Sequence, residues 1–235
     1  MQSLTTRVVL AVVAFSIAHS SPARAANLIV NGGFENTGGT FVDEGGGVMN
    51  TALTPGSTLV PGWTVTNAQV GWISNTNIYG VATPYGSYCL DLTGNHDNGV
   101  YAGVTQTIVT TPNQRYRLTL SLGADQDHSP NSGTKSVSVT AGAASTSFTF
   151  VPSGTGNQWG NFSFDFTASS TSTQITIVGT SAGSGSQYLG LDNVSVDVAP
   201  AAVPLFGVPG RAVLAGAMAL VVAASLRRVS RRRER

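Results

Sequence analysis

Two carboxylates stand at the ends of the folded part of this chain: Glu35 in its opening phrase and Asp192 in its closing one. If the first and last strands lie side by side, these acids meet, and two like charges brought together repel unless a proton or cation comes between them. Calcium suits such a place, because it takes six to eight hard oxygen ligands and a loop-rich junction supplies carbonyls beside the acids. The simpler reading keeps both acids as acceptors of backbone hydrogen bonds at strand ends. Asp91, on an alternating segment, is a weaker candidate and reads as solvent-facing.

Aromatic side chains offer a second chemistry. Sugar rings present apolar C–H faces that stack on aromatic rings while polar groups fix the hydroxyls. Trp63 reads as core. Trp72, Tyr79 and Tyr85, in the loop-rich middle, are the better ligand candidates, with packing as their alternative role. Catalytic signatures are poor. His96 and His128 lie in polar loops beside acids, a pattern that suits solvated loops or a metal. No His-Glu-x-x-His motif occurs, nor a Gly-x-Ser-x-Gly nucleophile elbow with triad partners. The expectation is a non-catalytic protein. Cys89, the single cysteine, alternates with Tyr88 and Leu90 and reads as a small buried apolar group.

The elements that position these residues are strands. Tyr116, Leu118, Leu120 and Leu122 alternate with Arg117, Thr119 and Ser121, and Phe162, Phe164 and Phe166 with Ser163 and Asp165. Val137 and Val139, Ile175 and Ile177, and Val194, Val196 and Val198 repeat the pattern. A period of two places one side on a core and the other toward solvent. Turn clusters such as 130–133 and 181–186 separate the segments. About ten short strands without a blade repeat predict an all-β, two-sheet jelly-roll sandwich over residues 26–198. Residues 36–59, rich in Gly and Thr, predict a long surface loop.

Charge is unevenly placed. Of twelve basic residues, seven lie at the C-terminal end, and residues 26–198 keep only Arg115, Arg117 and Lys135 against ten acids, a balance of −7. An acidic domain with so few cations excludes nucleic acid as a partner. Residues 1–25 read as a signal peptide: Arg7, an apolar run from Val8 to Ala18, then Ala23-Arg24-Ala25 as a small-x-small cleavage pattern. Residues 199–211 read as a linker and sorting-motif region, and 212–235 as a transmembrane helix with an Arg-rich tail. The unbroken apolar run from Ala212 to Leu226 spans only about 22 Å as a helix, so it needs residues from 203 onward to cross a ~30 Å hydrocarbon core. The arginines would stay cytoplasmic and the domain outside.

Five phrases carry a resemblance. They are NLIVNGGFE (Asn27 to Glu35), VPGWTV (Val60 to Val65), SYCLDLTG (Ser87 to Gly94), VTQTI with TPNQRY (Val104 to Tyr116) and LGLDNVSV (Leu189 to Val196). In this order they resemble the bacterial choice-of-anchor C family, related to a plant cell-wall domain-of-unknown-function family. The resemblance implies a galactose-binding-like jelly roll and interchangeable C-terminal anchors. Related plant proteins associate with cell-wall polysaccharide. In similar carbohydrate-binding jelly rolls, acids in such terminal phrases help hold a structural calcium, which would fall to Glu35 and Asp192. The C-terminal layout resembles the PEP-CTERM-like sorting signals, which an exosortase is thought to cut; here Val203 to Gly207 stands where Pro-Glu-Pro is absent. The expected protein is therefore exported and envelope-anchored, binding glycan or matrix polysaccharide. The alternatives are a structural surface protein without small ligand and, less favoured, a glycan hydrolase.

Overall fold

The alternating segments pair into two antiparallel sheets. In this computed structural model, residues 27–94, 102–127, 131–181 and 188–200 are described. Eleven strands are found among them: β1 (Val48–Met49), β2 (Thr64–Thr66), β3 (Gly71–Ser74), β4 (Tyr88–Asp91), β5 (Gly103–Val109), β6 (Arg115–Asp125), β7 (Lys135–Ala141), β8 (Ala144–Phe150), β9 (Asn157–Thr167), β10 (Ser172–Gly179) and β11 (Gly190–Val198). The first sheet runs β1-β3-β4-β11-β6-β9 and the second β2-β5-β10-β7-β8. They form the jelly-roll sandwich, all-β and without a helix among the described residues. No described helix is long and apolar enough to cross a membrane. The signal-peptide and membrane-helix expectations fall outside the described residues, and of the linker only Ala199 and Pro200 are described.

Register decides which side chains meet. Trp72 pairs with Leu90, Leu90 with Leu191, Leu191 with Leu122, and all four point between the sheets. Val104, Ile177 and Val139 face them from the second sheet, and the whole set is buried. The outer side of the second sheet is a ladder of small uncharged hydroxyls, with Thr64 opposite Thr105, Thr105 opposite Thr176, and Thr176 opposite Thr140.

The stretch 36–59 departs from the expected surface loop. It carries only β1, yet Leu53 and Met49 are buried and Phe41 stacks edge-on against Trp72 at 5.4 Å. Gly and Thr allow its turns, while Met49 and Leu53 join the core and Phe41 packs against it.

The domain's two ends are zipped together. The Leu28 amide donates to Val196 O, and the Val194 amide to Gly32 O, both at 2.9 Å. Gln106 of β5 lies in an inward row but is satisfied, accepting from the Val30 amide at 2.7 Å and donating to Val30 O at 2.9 Å. The opening phrase is thus tied to both sheets.

Candidate functional site

The zipped ends bring Glu35 and Asp192 to one place. Gly33 lies between them: a Cβ there would be 3.8 Å from Asp192 Oδ1 and 3.9 Å from Glu35 Cγ. Glu35 Oε1 accepts from the Ser87 and Tyr88 amides, both at 2.8 Å. Gly86 permits that approach, since any Cβ at 86 would meet Oε1 at 2.2 Å. Asp192 is fully buried, accepts from the Thr83 hydroxyl, and accepts from the Asn193 amide at 2.5 Å. Burial pushes its carboxyl up to about 7, with the Glu35 charge adding in the same direction. Among the described residues no three or more His, Cys, Asp or Glu converge as a metal cage. A cation here would take these two carboxylates and backbone carbonyls of the turn, an all-oxygen set that fits calcium in kind.

A second arrangement covers the outer side of the first sheet. By register, Ile73, Cys89, Asp91, Gly190, Asp192, Gly123 and Trp159 share that side. Residues 75–87, between β3 and β4, cross it as a strap. Val81 of the strap packs with Val48, Ile73, Cys89 and Tyr188 in a small buried cluster of its own. Strand β9 fastens the strap by three side chains. Asn157 accepts from the Ala82 amide at 2.8 Å and donates to Gly80 O at 2.7 Å. Trp159 Nε1 donates to Ala82 O at 2.8 Å, and the Tyr85 hydroxyl donates to Asn161 Oδ1 at 2.6 Å. Within the strap, Asn75 donates to Thr83 O and Gly86 O and accepts from the Thr83 amide. Two strand glycines make room beneath. A Cβ at Gly123 would lie 2.6 Å from Trp159, and one at Gly190 would lie 2.6 Å from the Tyr188 hydroxyl.

Beside the strap lies a pocket of about 230 Å³. Gly71 and Ile73 line it with Asp91 and Tyr188, and Tyr79 and Asn131 join its wall. Tyr79 is 54% exposed, with Ile78 beside it at 76%. Asp91 is buried. Its Oδ1 accepts from the Thr93 amide and hydroxyl and from the Leu189 amide at 3.0 Å. Burial raises its carboxyl to about 6 against these hydrogen bonds and the Lys135 charge.

The expected ligand residues therefore separate. Trp72 is corrected: it is wholly buried, points between the sheets and donates to Phe34 O at 3.2 Å, so no face remains for a sugar. Tyr85 is half-buried, edge-on to Trp159 at 5.8 Å, holding the strap. Tyr79 alone of the three stands at the pocket. Asp91 is also corrected, from solvent-facing to buried, because the strap and Tyr188 cover the side it points to. Tyr188 and Asn131 were not singled out as site residues from sequence; Trp159, which with Trp63 and Trp72 invited a sugar-stacking reading, instead holds the strap through its indole N–H. The signal available was the glycine at 123 inside an alternating strand, which marks a close approach. His96 and His128 lie outside the described residues.

The family described as "Protein of unknown function (DUF642)" matches residues 27–196, which takes in both zipped ends and the strap. The chain belongs to the DUF642 family. Solved structures similar to this DUF642 protein include TmCBM61 in complex with β-1,4-galactotriose, 16% identical, with 73% of this chain and 98% of that one covered at a TM-score of 0.42. A CBM4 structure is 13% identical, with 72% and 98% covered at 0.37. CBM35 from Paenibacillus barcinonensis is 14% identical, with 63% and 96% covered at 0.38. Likeness of this degree assigns no activity to the DUF642 chain. No curated protein matches it.

Proposed function

We propose that this DUF642 protein is an exported, envelope-anchored, non-catalytic glycan-binding protein of the choice-of-anchor C kind, and that the pocket beside the strap is its binding site. One observation carries the reading: a half-exposed tyrosine ring, Tyr79, stands at the rim of a pocket with a buried carboxylate, Asp91, in its wall. That is the combination a sugar asks for, an aromatic face for its C–H side and fixed acceptors for its hydroxyls. Asn131 adds an amide able to donate and accept. Tyr79→Ala should weaken binding to a glycan found by array screening at least tenfold without moving the melting temperature by more than a degree or two. Equal affinity in the variant would remove the pocket from the reading.

A structural calcium between Glu35 and Asp192 belongs to the same proposal. It would supply the positive charge that the buried carboxylate lacks. For the ends of the chain we propose removal of residues 1–25 on export, and retention at the membrane through residues 212–235 until a sorting enzyme of the exosortase class acts. Deleting residues 204–235 should move the protein from the membrane fraction to the periplasm or medium. Membrane fractionation at the full-length level would count against an anchor.

The uncharged Ser/Thr ladder on the second sheet favours a second reading, packing of the domain into matrix without a small ligand. In that case, association with matrix survives Tyr79→Ala unchanged.

A further inference from the structure

The domain has almost no usable positive charge, and this bears on which glycans its pocket accepts. Between residues 27 and 198 the sequence holds three cationic side chains, Arg115, Arg117 and Lys135. Asp165 takes both arginines, Arg115 at 2.7 Å and Arg117 at 2.6 Å. Asp197 stands opposite Arg117 across the β6–β11 ladder. Six residues along β6 separate Arg117 from Gly123, a distance of roughly 20 Å at about 3.3 Å per residue. Lys135 is completely buried and its Nζ donates to Ser132 O at 3.2 Å. It is unavailable to a ligand. Burial also lowers it to about 8, against the Asp91 charge that raises it.

Among the described residues lining it, the pocket offers one carboxylate, Asp91, and no cation. Its other polar groups are the amides of Asn50 and Asn131 and the hydroxyls of Tyr79 and Tyr188. An anionic sugar would bring its charge into a partly enclosed site whose described lining holds a carboxylate and no Lys or Arg; Lys135, the cation that acts on Asp91, is buried and not part of that lining. Like charges so placed oppose binding at an interface. A neutral sugar meets no such penalty and finds acceptors for its hydroxyl protons.

We infer that the pocket takes an uncharged glycan and turns away sugars bearing uronate, sulfate or phosphate groups. The inference rests on the reading of the pocket as a glycan site and adds the ligand's charge class to it. At pH 8 Asp91 carries its charge, since its raised value still lies near 6, and unperturbed imidazoles are neutral.

The test is titration calorimetry on the full chain in detergent at pH 8. Excess chelator is present so that no divalent cation bridges a uronate to a protein carboxylate. The probes are gluco-, xylo-, manno- and galacto-tetraoses, set against tetraoses of galacturonate and of mannuronate and a sulfated galactose tetraose. At least one neutral tetraose should bind, its affinity should be unchanged between 50 and 500 mM salt, and each anionic counterpart should bind at least about tenfold more weakly. Asp91→Asn should shrink the neutral-to-uronate ratio severalfold, whatever it does to either affinity alone. Should that variant misfold, salt dependence in the unaltered protein decides. An uncharged-ligand site gives the flat response, and a site using a cation loses affinity with salt. A uronate or sulfated tetraose that equals or outbinds every neutral one overturns the charge inference while leaving the glycan site in place. No binding by any tetraose overturns both.

Discussion

Asp192 shows how much one residue's surroundings set its chemistry. In the unfolded chain an aspartate loses its proton near 3.8, whereas burial in the folded domain holds Asp192 at about 7. Between those values the folded protein keeps a proton that the unfolded chain has released, so stability falls as pH rises from about 4 to about 7. Asp91, raised to about 6, acts in the same direction. A calcium ion at the junction would favour the ionised carboxylate and offset the loss. With chelator present, the melting temperature should drop by several degrees from pH 5 to pH 8, and calcium should restore most of it at pH 8 but little at pH 5. Asp192→Asn should abolish the calcium response. A chelated protein with the same melting temperature at both pH values would show that the buried acid is not under-compensated. At this scale the sequence was informative about type and position along a strand. It placed the acids in phrases that meet, and it marked Trp63 and Cys89 as buried, as they are. It misjudged Trp72 and Asp91 for a common reason. Alternation says that neighbouring residues face opposite ways, but not which of the two sides a later segment covers. Trp72 faces the other sheet, and Asp91 faces a strap that looks like an ordinary loop in sequence.

The strap is the element that makes a site out of a sheet. Bare, the outer side of β3, β4 and β11 would show Ile73, Cys89 and Gly190 to water; residues 75–87 cover them and leave the pocket at their margin. Little of the strap's hold is regular backbone pairing. Asparagines replace it, with Asn75 bonding within the strap and Asn157 reaching over from β9. Side-chain amides mimic backbone donors and acceptors, which lets an irregular segment satisfy its polar groups over an apolar floor. Asn157→Ala removes two such bonds at once and leaves the Ala82 amide without its partner, at a cost of about 1–3 kcal/mol. That energy should appear locally. Hydrogen exchange at Ala82 should accelerate about tenfold or more, while β6 and β10 exchange as before. Uniform acceleration across both sheets would mean that the strap and the sandwich open as one unit. The strands themselves were legible because their period is two and their turns carry Gly, Asn and Ser. Strand order was not, since β11 lies between β4 and β6 through pairings about 70 to 100 residues apart in sequence. Nothing in a local window encodes such a neighbour.

For the domain as a whole, closure depends on its first nine residues. Ile29 and Phe34 enter the core, Trp63 donates to Asn31 O at 3.0 Å, and backbone bonds join 28 to 196 and 32 to 194. No disulfide reinforces this, Cys89 being a free buried thiol. Phe34 is held at φ 58° with its ring fully buried and tilted on Trp63 at 5.7 Å. A bulky residue in the left-handed region is strained, so its packing must outweigh that cost. Phe34→Ala keeps the strain, loses the packing and opens a cavity, which costs about 3–5 kcal/mol. At about 2–4 °C per kcal/mol for a domain of this size, the melting temperature should fall by roughly 6–20 °C. The form of the transition is as telling as its midpoint. Because the opening phrase bonds to β11 in one sheet and to Gln106 in the other, its release should expose both faces of the core together. Tryptophan fluorescence, which reports Trp63 beside Phe34 together with Trp72 and Trp159, should then melt coincidentally with far-ultraviolet dichroism, in Phe34→Ala as in the unaltered protein. A fluorescence transition that precedes the loss of β-structure would mean that the opening phrase frays from a sandwich able to stand without it. In that event the calcium junction at Glu35 would be a local clasp, and the chelator effect should appear in the first transition alone.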